Sequence, residues 1–406
     1  SLTMIGKPKS SQKNPPRQGE MLLSMLSRIQ RGSIEICLPT KNKILFSGTT
    51  TGIHGQITIT NWKMAHMVMT RGDIGAAESF IAGFWETPNL AELLTLISLN
   101  REFLKEAVYG SWVDLIKYKT RDFFRLNTRK GAKKNIHEHY DIGNKFYEAW
   151  LDETMTYSSA IFPKNTNQKT LSEAQTDKYD RIIKALDIQR QSAVLEIGCG
   201  WGGFALHCAK ERGARLDAIT ISDQQYRYAK KKISNEGLDQ QVNVKFCDYR
   251  DLRGQYDFIV SIEMFEAVGE SFWRPYFETL KRNLKPGGRA IVQTIVIKDN
   301  LYHKYRKTTD FIRQYVFPGG ALPSPSIFKT KANLLGLEIA REFSFGHAYA
   351  TTIKHWMKRY LSNLDTLNKM GFDNNFHRLW IFYLSYCQAG FKVGDIDVVQ
   401  FELVKP

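Results

Sequence analysis

The sequence predicts an α/β protein, a doubly wound parallel sheet with helices on both faces, preceded by a smaller N-terminal α+β domain. Three observations lead there. At 406 residues the chain is too long for one ordinary core, so two domains are expected. From about residue 135, strand-like runs alternate with helical ones: "SAVLEIG", "GFALHCAKERG", "RLDAITIS", "QQYRYAKKKISNEG", "VNVKFCD", "YDFIVSI", "SFWRPYFETLKRNL" and "RAIVQTIVI". Such alternation builds parallel strands joined by covering helices. Finally, "VLEIGCGWGG" (194–203) reads as a buried strand, a glycine turn and the start of a helix.

Taken in order, residues 1–20 are polar and Pro-containing, and a loose tail is expected there. Residues 21–115 form the small domain, with "SIEICLP", "KILFSG" and "QITITNW" as strands. In "TPNLAELLTLISLN", Pro88 suits a first helical position, and Leu90, Leu93, Leu94 and Ile97 mark one helical face. Residues 116–134 are a basic linker, in which "KYKTRDFFRLNTRKGAKK" (117–134) interleaves Lys and Arg with Tyr118, Phe123 and Phe124. Residues 135–406 are the sheet domain, and it carries the chemistry.

The net charge of +16 points to an anionic partner, either nucleic acid or an anionic membrane surface. The longest apolar stretches, such as "LAELLTLISL" (90–99), fall short of the roughly 18 residues that span a bilayer. No segment reads as a signal peptide. Cys37, Cys199, Cys208, Cys247 and Cys387 include no C-x-x-C pair, which suits a reducing compartment and predicts neither a disulfide framework nor a metal site.

Ligands of such sheets bind at the carboxyl ends of the strands, so the motifs are read there. Gly198, Gly200 and Gly202 follow the strand with Cys199 between the first two, and acidic Glu196 stands two residues earlier. The spacing lacks the third glycine of a dinucleotide fingerprint. Glu196 would repel phosphate but attract an amino group or a sulfonium, which favours S-adenosylmethionine. Thr220, Ser222 and Gln225 end a second strand, able to reach a ribose or a carboxylate. Tyr249 and Arg250 end a third, beside where an adenine would lie. "NLKPGGRAIVQTI" supplies the helix, turn and strand that complete this cofactor fold. A class I S-adenosylmethionine-dependent methyltransferase domain is the expectation. No N/D-P-P-Y loop follows the fourth strand and no cysteine follows proline, which excludes the common nucleic-acid methyltransferases and moves the basic charge towards a lipid surface.

"EHYDIGNKFYEAWL" (138–151), "MTYSSAIF" (155–162), "DYRDL", "MFEAVG", "YVFPGGALPSPS" (315–326) and "LSYCQAGF" (384–391) together resemble the cyclopropane-fatty-acyl-phospholipid synthase family. The resemblance implies methyl transfer from S-adenosylmethionine to a cis double bond of a phospholipid acyl chain. A proton then leaves the added methyl carbon and a cyclopropane closes. It also implies a bound bicarbonate as the base, held by a Cys, a Glu, a His, a main-chain group of an Ile and a Tyr. On this chain the corresponding positions are Ser159 for the Cys, Glu266, Gln293 for the His, Ile295 and Tyr315. Tyr157 and Ser158 fall near the methionine end of the cofactor. Cys387 corresponds to a cysteine suspected of an active-site role. The departures at Ser159 and Gln293 leave uncharged donors, and Gln does not titrate near neutral pH as His does.

Glu263, in "SIEMFEAVGESFW", is expected to cap the helix that follows, and His137 and His139 to have a structural role. If the base is displaced, a methyl- or methylene-branched chain is the alternative product. A methyltransferase of a soluble small molecule, or a non-catalytic binding protein, are alternatives of other classes. The expected setting is cytoplasmic, peripheral on the inner membrane face, with the small domain and linker docking phospholipid. No nucleic acid is expected as a partner, and assembly as a homodimer is left open.

Overall fold

A computed structural model describes residues 2–5, 15–104, 142–164, 168–307, 312, 316 and 319–406. The basic linker, His137, His139 and Tyr315 lie outside the described residues. The chain divides into two compact units, one of residues 1–140, 310–316 and 371–393, the other of residues 141–309, 317–370 and 394–406.

The first unit carries a five-stranded sheet in the order β1-β3-β2-β4-β5. Its strands are Leu2–Ile5 (β1), Arg31–Cys37 (β2), Lys43–Ser47 (β3), Thr50–Ile59 (β4) and Trp85–Glu86 (β5). In β2 alternate side chains, Ile34 and Ile36, are buried while Ser33 and Glu35 are partly exposed, the period of a half-buried strand. Pairing of β1 with β3, and a helix that begins at Arg17, give structure to part of the expected loose tail. The Leu90–Leu99 helix starts two residues later than Pro88 suggests, because the Asn89 side chain caps it by accepting from the Glu92 N–H at 3.1 Å.

The Asn374–Val393 helix also belongs to this unit, although the sequence reading carried it with the sheet domain. The reason lies in its side chains. Arg378 donates to the Phe80 and Trp85 carbonyls at 2.6 and 3.1 Å and lies over the Phe80 ring, and Tyr386 donates to Asp73 at 2.8 Å.

The second unit is a seven-stranded sheet in the order β11-β12-β10-β9-β6-β7-β8. Its strands are Ala193–Ile197 (β6), Arg215–Thr220 (β7), Val242–Phe246 (β8), Tyr256–Ile262 (β9), Leu284–Ile297 (β10), Glu338–Ser344 (β11) and Ile396–Val404 (β12). Strands β6 to β10 are parallel, as expected, while β12 runs antiparallel to β10 and carries β11 antiparallel beyond it. Both faces are covered, since Leu195, Ile259 and Val292 join one apolar cluster and Val194, Val260 and Ile291 the other. The chain leaves β6 towards β7 on one side, and β9 returns on the other. The crevice beyond the carboxyl ends of β6 and β9 is therefore the topological switch point where such sheets bind ligands.

One side chain fixes an end of the first unit's Leu90–Leu99 helix. Fully buried Asn100 accepts from the Gln30 and Arg31 N–H groups and donates to the Arg31 and Leu96 carbonyls, each at 2.9 Å. Asn100→Ala orphans those backbone groups, and a loss of roughly 2–3 kcal/mol is expected in chemical denaturation of the first unit.

Candidate active site

The glycine loop forms one wall of the crevice. Gly198, Gly200 and Gly202 take φ values of 76°, 54° and 91°, a left-handed run that side chains other than glycine rarely adopt. Among the described residues nothing stands within 4 Å of where a Cβ at Gly200 would be, so the loop presents bare backbone to open space. Just before it, Glu196 is buried on β6, its Oε1 has no hydrogen-bond partner among the described residues, and burial pushes its carboxyl up to about 8. A bare glycine cradle and a buried acid whose Oε1 lacks a hydrogen-bond donor fit S-adenosylmethionine, which brings an ammonium and a sulfonium. Cys199, within the loop, has a buried thiol that desolvation holds well above its ordinary pKa, the state of a packing cysteine.

The other cofactor candidates lie at the ends of β7 and β8. Thr220 donates to Gln225 Oε1 at 3.0 Å, and Ser222 caps the Asp223–Asn235 helix by accepting from the Gln225 N–H at 3.2 Å. Tyr249 packs edge-on against Tyr276, while Arg250 is held by Asp248 through several hydrogen bonds, the shortest 2.7 Å. Asn144 is a residue that the sequence reading overlooked. It accepts from Trp201 Nε1 at 2.8 Å and bonds Gln224 through its own N–H at 3.1 Å, tying the "DIGNKF" segment to the glycine loop.

Beyond the end of β9 stand two half-buried glutamates, and here the capping expectation fails. Glu263 sits immediately after β9 with φ 53°, and no side chain caps the Phe265–Val268 helix. Its Oε2 accepts from the Ser159 main-chain N–H and from Gln293 Nε2, both at 2.7 Å, and its Oε1 accepts from the Tyr349 hydroxyl. Ser159 thus contributes its backbone, and its hydroxyl donates to the Ala160 carbonyl at 2.9 Å.

Glu266 has different partners. The Thr294 hydroxyl bonds its Oε1 and also the Ile295 carbonyl, and the Ile295 N–H bonds the Glu266 carboxyl. A hydroxyl has one hydrogen, so both Thr294 contacts reach full strength when Glu266 is protonated and donates. Burial first, and the neighbouring Glu263 second, push Glu266 up to about 8. Burial raises Glu263 as well, while Lys178 and three hydrogen-bond donors oppose the shift; the Ser159 N–H and Gln293 Nε2 can only donate, so its Oε2 is held as an acceptor. Lys178 itself is fully buried, bonded to Ser158 Oγ, and lowered by desolvation to about 8.

These donor orientations are set from outside. Arg181 donates to Gln400 Oε1 at 2.5 Å, and Gln400 Nε2 donates to Gln293 Oε1 at 3.0 Å. A guanidinium only donates, so it fixes both amides and turns Gln293 Nε2 onto Glu263. From Glu263 a chain of rings leads back to the glycine loop, namely Tyr349, Trp356, Tyr157, Tyr147 and Trp201, with centroid separations of 5.0 to 5.9 Å. Aromatic faces suit a cationic centre and exclude water.

The expected bicarbonate does not fit this arrangement. Of its implied holders, the Ser159 hydroxyl donates to the Ala160 carbonyl, Gln293 Nε2 donates to Glu263, and the Ile295 N–H bonds Glu266. Tyr315 is outside the described residues. Cys387 stands on the Asn374–Val393 helix of the first unit, whereas both carboxylates belong to the second.

With this geometry in hand, comparison with known proteins decides the family. Residues 127–401 match the model of the family described as mycolic acid cyclopropane synthetase. The chain belongs to this family. The tuberculostearic acid methyltransferase UfaA1 of Mycobacterium tuberculosis is 37% identical over 84% of this chain and 81% of its own. The cyclopropane-fatty-acyl-phospholipid synthase of Escherichia coli is 32% identical over 85% of this chain and 86% of its own. Among solved structures, the mycolic acid cyclopropane synthase CmaA1 complexed with SAH and CTAB superimposes with a TM-score of 0.62 at 28% identity, covering 67% of this chain and 97% of that one. This cyclopropane synthetase relative is accordingly an S-adenosylmethionine-dependent methyltransferase with a class I methyltransferase sheet.

The raised carboxyl of Glu266 gives a pH signature. Between the ordinary carboxyl range near 4.5 and about 8, the folded protein keeps a proton that the unfolded chain has released. Stability from this group is therefore full below that window and lost as the pH rises through it. Glu266→Gln removes the dependence, and the variant's melting temperature relative to wild type should climb by a few degrees from about pH 5 to about pH 8. A constant difference across that range would contradict the assignment.

Proposed function

We propose that this methyltransferase acts on the double bond of unsaturated fatty-acyl chains of membrane phospholipids. The carboxyl pair at the end of β9, joined through Tyr349 to a series of aromatic rings, is the observation that carries the reading. An alkene is a weak nucleophile, so it needs a dry site that holds it against the methyl donor. Bound S-adenosylmethionine supplies an electrophilic methyl group at the glycine loop. The alkene π pair would form the new C–C bond as the S–CH₃ bond breaks and S-adenosylhomocysteine leaves, and the cation then left on the chain would suit the ring faces of Tyr157, Trp356 and Tyr349. A carboxylate is then required to take a proton. The names of the relatives, which include a phospholipid synthase, a fatty acid methyltransferase and a sphingolipid methyltransferase, support a lipid acyl chain over a soluble acceptor.

Loss of that proton closes a cyclopropane or leaves a methylene-branched chain. The relatives named tuberculostearic acid methyltransferase and probable fatty acid methyltransferase favour keeping the branched product as a second reading. Incubation with S-adenosylmethionine and unsaturated phospholipid vesicles should add one CH₂ unit to the acyl chains by mass spectrometry. Proton NMR of the product should show high-field ring methylene signals for a cyclopropane and vinylidene signals for a methylene branch. No mass gain on any unsaturated phospholipid, with turnover on a water-soluble acceptor, would falsify the lipid reading.

The aromatic-laced basic segment 117–134 supports attachment to anionic phospholipid. Changing Lys130, Lys133 and Lys134 together to Glu should weaken vesicle binding by about tenfold or more, since each basic residue contributes roughly 1 kcal/mol at such a surface. Affinity for S-adenosylmethionine should hold. Equal vesicle binding by the variant would remove the segment from the membrane contact.

A further inference from the structure

We propose that Glu263 is the general base of the reaction, a carboxylate built into the chain at the place where the resemblance implies a bound bicarbonate. The inference rests on the lipid reading above for its substrate, and on the geometry around Glu263 for its residue.

Position comes first. Glu263 follows the last residue of β9, and β9 pairs with β6 through Ile197↔Ser261, so the carboxylate stands at the switch-point crevice. A Cβ at Gly198 would meet the side chain of Met264, the next residue after Glu263, at 3.1 Å. The glycine loop that offers the methyl donor and the turn that carries Glu263 are thus in contact.

Holding comes second. A non-glycine residue with φ 53° carries a backbone cost of about 1 kcal/mol or more, which persists only when surroundings over-determine it. Here they do. The Glu263 N–H donates to the Gln293 carbonyl at 2.7 Å while the carboxylate takes its three donors. A cap or a passive core acid needs no such conformation.

Chemistry comes third. After methyl transfer the chain bears a cation, and a C–H bond of the added methyl breaks. Its electron pair forms the ring bond or the exocyclic double bond, and the proton passes to a Glu263 oxygen, leaving a neutral product and a neutral acid. The charges balance with no external anion. Glu266, which keeps its proton, cannot serve as that base in the same state. Among the described residues, the Ser159 hydroxyl is spent on the Ala160 carbonyl, the Ile295 N–H on Glu266 and one Gln293 Nε2 hydrogen on Glu263, so an added anion would meet few donors and two neighbouring carboxyl groups.

The test separates this inference from the substrate reading. Wild-type turnover on unsaturated phospholipid vesicles should change by less than about twofold between carbon-dioxide-depleted buffer and buffer with added bicarbonate. Glu263→Gln should lower kcat by about 100-fold or more, the usual scale of a lost base, with affinity for S-adenosylmethionine kept. Glu263→Gly relieves the left-handed backbone and opens an anion-sized space, so bicarbonate or formate should raise its turnover at least about tenfold. Independently of activity, the carbon-13 signal of labelled bicarbonate should broaden with the Gly variant and stay sharp with wild type. Bicarbonate-dependent wild-type turnover, bicarbonate binding to wild type, or a Glu263→Gln enzyme with normal kcat would each overturn the proposal. Absence of turnover on every lipid would defeat the substrate reading alone, and the binding comparison would still decide the anion site.

Discussion

A carboxyl group that gathers three hydrogen-bond donors at the end of a central strand is the constraint on which the methyltransferase unit turns. Removing a charged carboxyl from water costs several kcal/mol, and only complete hydrogen bonding together with nearby positive charge offsets it. Glu263 obtains its donors from three separate stretches: the "TYSSAIF" segment through Ser159, strand β10 through Gln293, and the Gly346–Ser362 helix through Tyr349. Lys178, on the Leu171–Leu186 helix, adds the positive charge. Elements far apart in sequence are thereby brought to one point, and moving any of them leaves the Glu263 carboxyl short of a partner.

The same requirement reaches further outward. Gln293 can serve Glu263 only if its amide faces inward, and Arg181, two residues removed through Gln400, makes that orientation obligatory. Arg181 is itself set over the Phe343 ring on β11, at 4.0 Å. The antiparallel edge strands β11 and β12 are therefore part of how the site is oriented. On the other side, the Tyr349 hydroxyl joins the Glu263 carboxyl to the ring series that ends at Trp201. Electrostatic holding and aromatic enclosure meet at Tyr349.

Much of this was legible in the sequence, and the parts that were not have a common cause. The parallel strands, the glycine loop and Glu196 follow from local pattern, because period, turn chemistry and strand-end position are properties of contiguous residues, while Glu266 was singled out by the family resemblance of its motif. The edge strands were missed because β12 is buried along most of its length and shows little alternation. Glu263 was taken for a cap because acids near helix starts usually are caps. Its real partners lie 104, 30 and 86 residues away in the chain, beyond any local rule. Lys178 and Arg181 were not singled out, because nothing local marks either one. A usable signal did exist, since two acids three apart at a strand end were accompanied by two changed donors elsewhere.

Ser159, Gln293 and Glu263 are best understood as one change. A free anion must be captured from solution, and capture gives up translational freedom that only strong, charge-assisted donors recover. An anion attached to the backbone has met that cost during folding, so neutral donors suffice to orient it. A main-chain N–H and a glutamine amide are such donors. A titratable imidazole at position 293 would instead bring a second charge whose state varies with pH near the working range. Taken singly, the serine and the glutamine read as losses from an anion site. Taken with Glu263, they keep a carboxylate at the same place and free it from the supply of a dissolved one.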